Sequence, residues 1–194
     1  FSNYLFSQTK ITGSYNHSES TFTIEDKIYQ STHFSQGYAI ITDSNSFGLI
    51  DSTEVIVIPV IYEYIGFLKD GLLVATKDKK NGYLDAKGKI IIPFIYDLAD
   101  DFKNGFAIVQ KNNKCGIIDK KGGKITDLIY EHIDKFDNDQ SGLARVSRDK
   151  KWGFINAKGD YIVQPMYEDA EVFSAEGLAA VKSKDWGFID ASGK

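Results

Sequence analysis

The chain has 194 residues, 42% apolar and 26% charged, a balance that excludes wholesale disorder and a collagen-like chain and suits one large or two small globular domains. Lys plus Arg number 23 against 27 Asp plus Glu, and the resulting net charge of −4 argues against a nucleic-acid partner. No apolar run approaches the ~20 residues that span a bilayer, so no membrane insertion is expected.

Cys115 is the single cysteine, so neither an internal disulfide nor a thiolate metal cluster is available. The first residue is Phe1, with no initiator Met or signal peptide ahead of it, which reads as a mature form or an excised segment. Residues 1–33 are expected to form an N-terminal cap with a degenerate partial repeat, in which T-F-T-I-E-D-K-I-Y from Thr21 is similar to the third strand of the later units.

From residue 34 the chain repeats. Glycines recur at Gly48, Gly82, Gly116, Gly153 and Gly187, spaced by 34, 34, 37 and 34 residues. Tyr29, Tyr62, Tyr96, Tyr130 and Tyr167 keep the same beat, each followed by a phenylalanine, at Phe34, Phe67, Phe102, Phe136 and Phe173. The units read as 34–66, 67–101, 102–135, 136–172 and an incomplete 173–194.

A period near 34 also suits helical arrays, and the local chemistry decides between the two. Each unit carries three short runs rich in Ile, Val, Phe and Tyr, broken by Gly, Asp, Asn and Lys, and none has a helical apolar stripe. The expected fold is all-β, each unit a short three-stranded antiparallel meander, in an open solenoid-like array, with a closed propeller-like ring as the alternative.

The first strand, as in G-L-A-R-V from Gly142, carries small residues two and four places after the glycine, which predicts close packing on that side. The second strand is W-G-F-I-D or a variant, with Phe47, Asn81, Cys115, Trp152 and Trp186 in one slot. Core packing is expected of Trp152 and Trp186, burial of Cys115, and close approach of a backbone or ring at Gly153. A D-x-x-G turn follows, as in D-A-K-G-K from Asp85, where the acid caps a type I turn and Gly88 takes a positive φ. The third strand, as in K-I-I-I-P, ends at Pro59, Pro93 or Pro165, where a proline is expected to stop the ladder.

With those residues laid out, the chain resembles the bacterial WG-repeat family, including its KWG variant. K-W-G-F-I-N-A-K-G-D from Lys151, P-M-Y-E-D from Pro165 and W-G-F-I-D-A-S-G-K from Trp186 carry the resemblance, while earlier copies keep the G-h-I-D frame without the Trp. It implies an all-β bacterial repeat protein serving as a binding or accessory module. The structural signature is Gly48, Gly82, Gly116, Trp152, Gly153, Trp186 and Gly187. The compartment is unassigned, with a lean toward secretion or the cell envelope.

Candidate chemistry is sparse. His17, His33 and His132 fall at non-equivalent places without metal-ligand or nucleophile spacing, and phosphate-loop, dinucleotide and nucleophile-elbow motifs are absent. The run from Asp137 to Gly142 matches half of a calcium loop but has Arg148 where the bidentate Glu belongs, and reads as a solvated turn. No catalytic residue, metal or cofactor is expected.

Charge is uneven. The tips between first and second strands are lysine-rich, and Lys79, Lys80, Lys114, Lys150, Lys151 and Lys184 are the candidate binding residues. An acidic set, including Glu63, Asp97, Glu131 and Glu168, follows each third strand. The expected function is a non-catalytic binding or scaffolding module whose partner is a protein or peptide, acidic if the lysines read it. A glycan-binding module and a structural spacer are the alternatives.

Overall fold

The structure is a computed structural model and describes residues 11–136 and 142–194. Among the described residues every regular element is a strand, and antiparallel pairing gathers the strands into five small sheets, none closed into a barrel. The chain divides into two compact units, one ending at Phe94 and the other beginning at Ile95.

In the first unit β1 (Ser14–Asn16), β2 (Thr21–Ile24), β3 (Lys27–Ser31), β4 (Tyr38–Thr42), β5 (Phe47–Asp51) and β6 (Ile56–Tyr62) form one six-stranded meander. Next come β7 (Tyr64–Ile65), β8 (Leu72–Lys77), β9 (Lys80–Asp85) and β10 (Ile90–Tyr96), ordered β10-β9-β8-β7. The second unit holds a sheet of β11 (Leu98–Ala99), β12 (Phe106–Lys111) and β13 (Lys114–Asp119). It continues with β14 (His132–Ile133), β15 (Leu143–Arg148), β16 (Lys151–Asn156) and β17 (Tyr161–Tyr167), then with β18 (Asp169–Ala170), β19 (Leu178–Lys182) and β20 (Trp186–Asp190).

The three-stranded repeat is present and has an added edge. The two-residue strands β7, β11, β14 and β18 begin two residues after Tyr62, Tyr96, Tyr130 and Tyr167 and pair with the first long strand of the next sheet. The sequence offers this stretch only as a connection, because two residues are too few to show a period.

Sheets within a unit bury both faces. Ile40, Leu49 and Ile58 of the first sheet cluster with Leu73, Ala75 and Leu84 of the second, while Ala39, Ile41 and Ile50 on the opposite face pack on Phe22. In the second unit Phe154 and Val163 pack against Ala170, Ala179, Val181 and Ile189, and Ala144, Val146 and Ile155 pack against Cys115, Ile117 and Tyr130. Ala144 and Val146, two and four places after Gly142, thus fill the tight layer that their small size predicts, and Cys115 is buried.

The turn after the second long strand forms as expected. One carboxylate oxygen of Asp85 accepts from the N–H groups of Lys87 and Lys89 at 2.9 and 3.0 Å, and Asp119, Asn156 and Asp190 repeat the pattern. Gly88 has φ +80, and a Cβ there would lie 3.1 Å from the Val57 carbonyl oxygen of the preceding sheet. The glycine therefore answers two demands, left-handed backbone and close stacking. The first copy solves the turn without glycine, since Asp51 caps Thr53 and Val55 while Glu54 takes φ 63.

The prolines do not stop their strands. β6, β10 and β17 run on through Pro59, Pro93 and Pro165 to the repeat tyrosine. The ladder breaks in the middle instead. Trp152 pairs with Tyr167 and Phe154 with Val163, so Gly153 alone faces Gln164, Pro165 and Met166, and the same shift sets Gly48 against Pro59, Val60 and Ile61. A proline fits here because a bulge needs no ladder N–H from it. The bulge lies directly over the glycine: a Cβ on Gly153 would meet the Val163 oxygen at 2.5 Å and the Pro165 nitrogen at 2.6 Å. At Gly82 the Ile92 oxygen would be 2.7 Å away, and at Gly116 the Asp127 oxygen 2.9 Å, in a unit that has no proline.

Replacing Gly88 by Ala is expected to destabilise the fold by at least about 1 kcal/mol, because it adds left-handed strain to a crowded contact. Glu54→Gly should act in the opposite sense, stabilising by up to about 1 kcal/mol, since it relieves the left-handed strain of a non-glycine residue at φ 63. Urea midpoints of the two variants check both signs. An unchanged midpoint in Gly88→Ala would contradict the stacked-turn account.

Candidate functional site

The edge on which the first and second long strands of each sheet turn back is where side chains differ most between copies. Three of these tips are two-residue turns whose central residues both have positive φ: Asp78 and Lys79, Asn112 and Asn113, Asp149 and Lys150. Such mirror-image turns match the strand twist, and Asn and Asp tolerate them best after glycine. The predicted acidic set does not stand apart from these tips. A Glu63 carboxylate oxygen accepts from the Lys79 N–H at 3.2 Å, one from Asp97 accepts from the Asn112 N–H at 2.6 Å, and Glu131 accepts from the Lys150 N–H. The acid after the repeat tyrosine therefore pins the tip of its own sheet, an arrangement in which a carboxylate satisfies turn amides that no ladder can reach.

This brings the candidate lysines and the acids together. Lys114 forms an ion pair with Glu131, whose carboxyl is held below the usual range chiefly by that lysine. Lys79 and Lys150 place their backbone amides on Glu63 and Glu131, Lys151 is half-buried, and Lys184 is exposed at the tip before Trp186. Each described tip thus presents mixed charge.

Beside each tip a cross-strand row runs through the Trp slot. Tyr64, Thr76 and Asn81 are register partners in one sheet, and Leu98, Gln110 and Cys115 in the next. His132, Ser147 and Trp152 follow, and then Asp169, Lys182 and Trp186. Directly opposed residues share a face, and each row runs from exposed ends such as Tyr64, Leu98 and His132 to inner members that include the buried Cys115 and Ser147. Within the rows Thr76 donates to Asn81 at 2.9 Å, the Gln110 amide reaches the Cys115 sulfur at 3.5 Å, and the His132 and Trp152 rings meet edge to face at 6.0 Å. Tyr64 and Leu98 stand 49% and 62% exposed at their ends of the rows.

The two tryptophans differ, and Trp152 packs against the core cluster that holds Phe154, Phe173 and Val181. Trp152 is half-buried with the Arg145 guanidinium 4.4 Å above its ring centroid. Arg145 also donates from Nε to Asp134 at 2.8 Å and from a terminal nitrogen to the Ala170 carbonyl, while the other Asp134 oxygen lies 2.6 Å from His132 Nε2. Trp186 is 52% exposed. Deeper in the same unit the Tyr130 hydroxyl donates to that of Tyr161 at 2.8 Å, and burial together with this bond raises the Tyr130 phenol above its ordinary range. Sequence reasoning missed the Arg145 network because its members, Asp134, Arg145, Trp152 and Ala170, have no fixed spacing to reveal them.

Among the described residues no three His, Cys, Asp or Glu side chains gather to hold a metal ion. The calcium-loop reading falls on residues 137–141, which lie outside the described residues.

The family model of the WG containing repeat matches residues 47–80, 82–115, 116–152 and 152–185. The chain belongs to that family. Across this chain's own repeats the shared frame is the glycine with a backbone close above it and the acid- or Asn-capped turn. No curated protein matches the chain. Among solved structures it is similar to Hsv2p of Kluyveromyces lactis, at 13% identity over 82% of this chain and 59% of that one, with a TM-score of 0.43. A eukaryotic initiation factor shares 12% identity over 94% of this chain and 59% of its own, at 0.49, and the Pan2 WD40 domain of Neurospora crassa 12% over 92% and 74%, at 0.40. The chain spans about three-fifths of the length of the first of these.

Arg145→Met should destabilise the protein by roughly 1 to 3 kcal/mol, because it leaves a mostly buried Asp134 oxygen and the Ala170 carbonyl without their donor. Arg145→Lys should restore only part of this, since one ammonium cannot reach both acceptors and also cover the ring. Denaturant midpoints of the two variants are the check, and full recovery in the lysine variant would contradict the three-way role.

Proposed function

We propose that this WG-repeat domain is a non-catalytic module that binds a protein or peptide along the tip edges of its sheets. The observation that supports the reading is the row of changing side chains on an unchanging frame: Tyr-Thr-Asn, Leu-Gln-Cys, His-Ser-Trp and Asp-Lys-Trp. The repeat's signature residues serve backbone geometry, which leaves recognition to the positions that differ. Exposed Tyr64 and Leu98 offer apolar anchors, and the neighbouring lysines and carboxylates offer the polar rim that protein interfaces combine with them. An acidic stretch in the partner would meet Lys79, Lys114 and Lys150. Glu63 accepts from the Lys79 backbone, which supports the Lys79 ammonium as outward-facing charge, whereas Lys114 is already paired with Glu131 and would have to exchange that partner for a carboxylate of the ligand.

A glycan reading rests on one observation, the exposed indole of Trp186. It requires no charge on the ligand and is separable on that ground.

Affinity capture with the wild-type chain and with a Lys79→Glu, Lys114→Glu, Lys150→Glu variant compares the two. The variant is expected to fold and to lose the partner, with a change below ~0.5 kcal/mol at Lys79 and at Lys150 and a larger cost at Lys114, where the ion pair with Glu131 becomes a like-charge pair. Binding by the wild type should weaken as salt rises, since exposed charges are screened beyond ~8 Å at physiological ionic strength. Equal capture by both proteins would overturn the lysine assignment, and salt-insensitive binding to a neutral glycan array would transfer the function to the indole.

A further inference from the structure

The chain holds two nearly identical tetrapeptides, K-N-G-Y from Lys80 and K-N-G-F from Lys103, and the fold puts them to different uses. An asparagine followed by glycine carries its own chemistry. With no side chain on the glycine, its backbone nitrogen can approach the carbonyl carbon of the asparagine amide wherever the main chain can rotate. Sequence alone gives the two asparagines the same reactivity, so any difference between them belongs to the structure.

Asn104 and Gly105 are the central residues of the turn that leads into β12. Their φ angles are 55 and 87, and Lys103 and Phe106 each donate an N–H to the other's carbonyl, at 3.0 and 3.3 Å. A mirror-image two-residue turn demands left-handed backbone at both places, and Asn-Gly meets that demand best. The pair that suits the turn is thus also the pair that can react. Lys103 and Phe106 form an isolated bridge outside the strands and Asn104 is exposed, so the turn opens at little cost. Asn81 is held on every side. It lies within β9, its side-chain oxygen accepts from Thr76 Oγ1 at 2.9 Å, and Gly82 pairs with Ala75 under the arch of β10, with the Ile92 oxygen 2.7 Å from a Cβ built on it.

We propose that Asn104 is a site of spontaneous modification, in which its side-chain amide becomes an acid with the Gly105 nitrogen as nucleophile. That nitrogen bonds to the side-chain carbonyl carbon of Asn104 and gives up its proton, the bond from that carbon to the amide nitrogen breaks, and ammonia leaves with the proton. Water then opens the five-membered imide. Hydrolysis at the side-chain carbonyl gives aspartate, and hydrolysis at the main-chain carbonyl gives isoaspartate, whose main chain is one methylene longer. The fold distinguishes the two products. The equivalent turn before β8 is Asp70-Gly71, with φ of 50 and 84, so aspartate fits this place. An extra methylene cannot be held in a two-residue turn between Lys103 and Phe106, and it would disturb the start of β12, where the Phe106 ring meets Phe136 edge to face at 5.0 Å. The turn before β4 carries Gln36-Gly37, whose longer amide cannot close a five-membered ring.

The second tetrapeptide serves as an internal control. The 194-residue chain is kept folded in mildly alkaline buffer and its peptides are followed by mass over time, with isoaspartate labelled by an isoaspartyl methyltransferase. Residue 104 is expected to convert at least about tenfold faster than residue 81, and in urea the two rates should converge, because only the fold separates them. Asn104→Gln, which copies Gln36, should leave the melting midpoint unchanged and abolish conversion at that site. Asn104→Asp, which copies Asp70, should also keep the midpoint, while wild-type chain enriched in isoaspartate by ageing should melt earlier. Equal rates at residues 81 and 104 in the folded chain would overturn the proposal. So would conversion at Asn112 or Asn113 as fast as at Asn104, since these share the positive φ without a following glycine.

Discussion

One contact underlies the repeat: the backbone of the third strand arches over a glycine in the second. Gly153 faces three residues of β17 instead of one, and the arch comes so near that a methyl group has no room. The same relation holds at Gly48 and Gly82, and at Gly116 it persists where the unit has lost its proline and keeps only isolated bridges, Cys115 to Tyr130 and Ile118 to Lys124. The glycine is thus the invariant of the joint, and the proline an accessory that suits a bulge with no ladder bond to give. The arch also aligns the repeat tyrosine with the Trp slot, from which the short strand, the acid that pins the next tip and the variable row all follow.

Around that joint, packing is assigned by face. Small residues of the first long strand accept the preceding sheet, and the acid-capped turn stacks its glycine on the preceding third strand, as Gly159 does beside Ile125 and Thr126. Such nearest-neighbour contacts are how repeat arrays distribute stability. The surface they leave is free to vary. Its variation is not random in place: it sits at the ends of the cross-strand rows, beside tips where lysines and carboxylates alternate. A frame that fixes position and a row that changes chemistry is the observation that the proposed binding role draws on.

Much of this was legible in the chain. The period, the strand character, the acid-capped turn with Gly88 and the small layer of the first long strand all follow from local chemistry, and local chemistry decided them. The close approach at Gly153 was also legible, though not its source, since a bulge is a relation between two strands and leaves no mark in either alone. Proline reads as a terminator for the same reason. Trp152 and Trp186 read as core because an aromatic in an apolar strand usually is, and Trp152 stays half-buried against its cluster with Arg145 over its ring, a placement set by tertiary contacts. The acids after each tyrosine were visible as charge, but their meeting with the tips depends on the two-residue strand that carries them there.

The central claim is that the glycine is required by the arch and not by its own conformation. A double-mutant cycle tests it most directly: Gly153→Ala measured in the wild-type chain and in a variant lacking Gln164 and Met166, whose deletion leaves one residue opposite Gly153 and preserves the pairing of Trp152 with Tyr167. In the wild-type chain the alanine should cost roughly 1 to 3 kcal/mol through overpacking. In the deleted chain the added cost should fall below ~0.5 kcal/mol, giving a coupling energy of the size found between directly contacting groups. An equal penalty in both backgrounds would contradict the account and place the requirement for glycine in the strand itself.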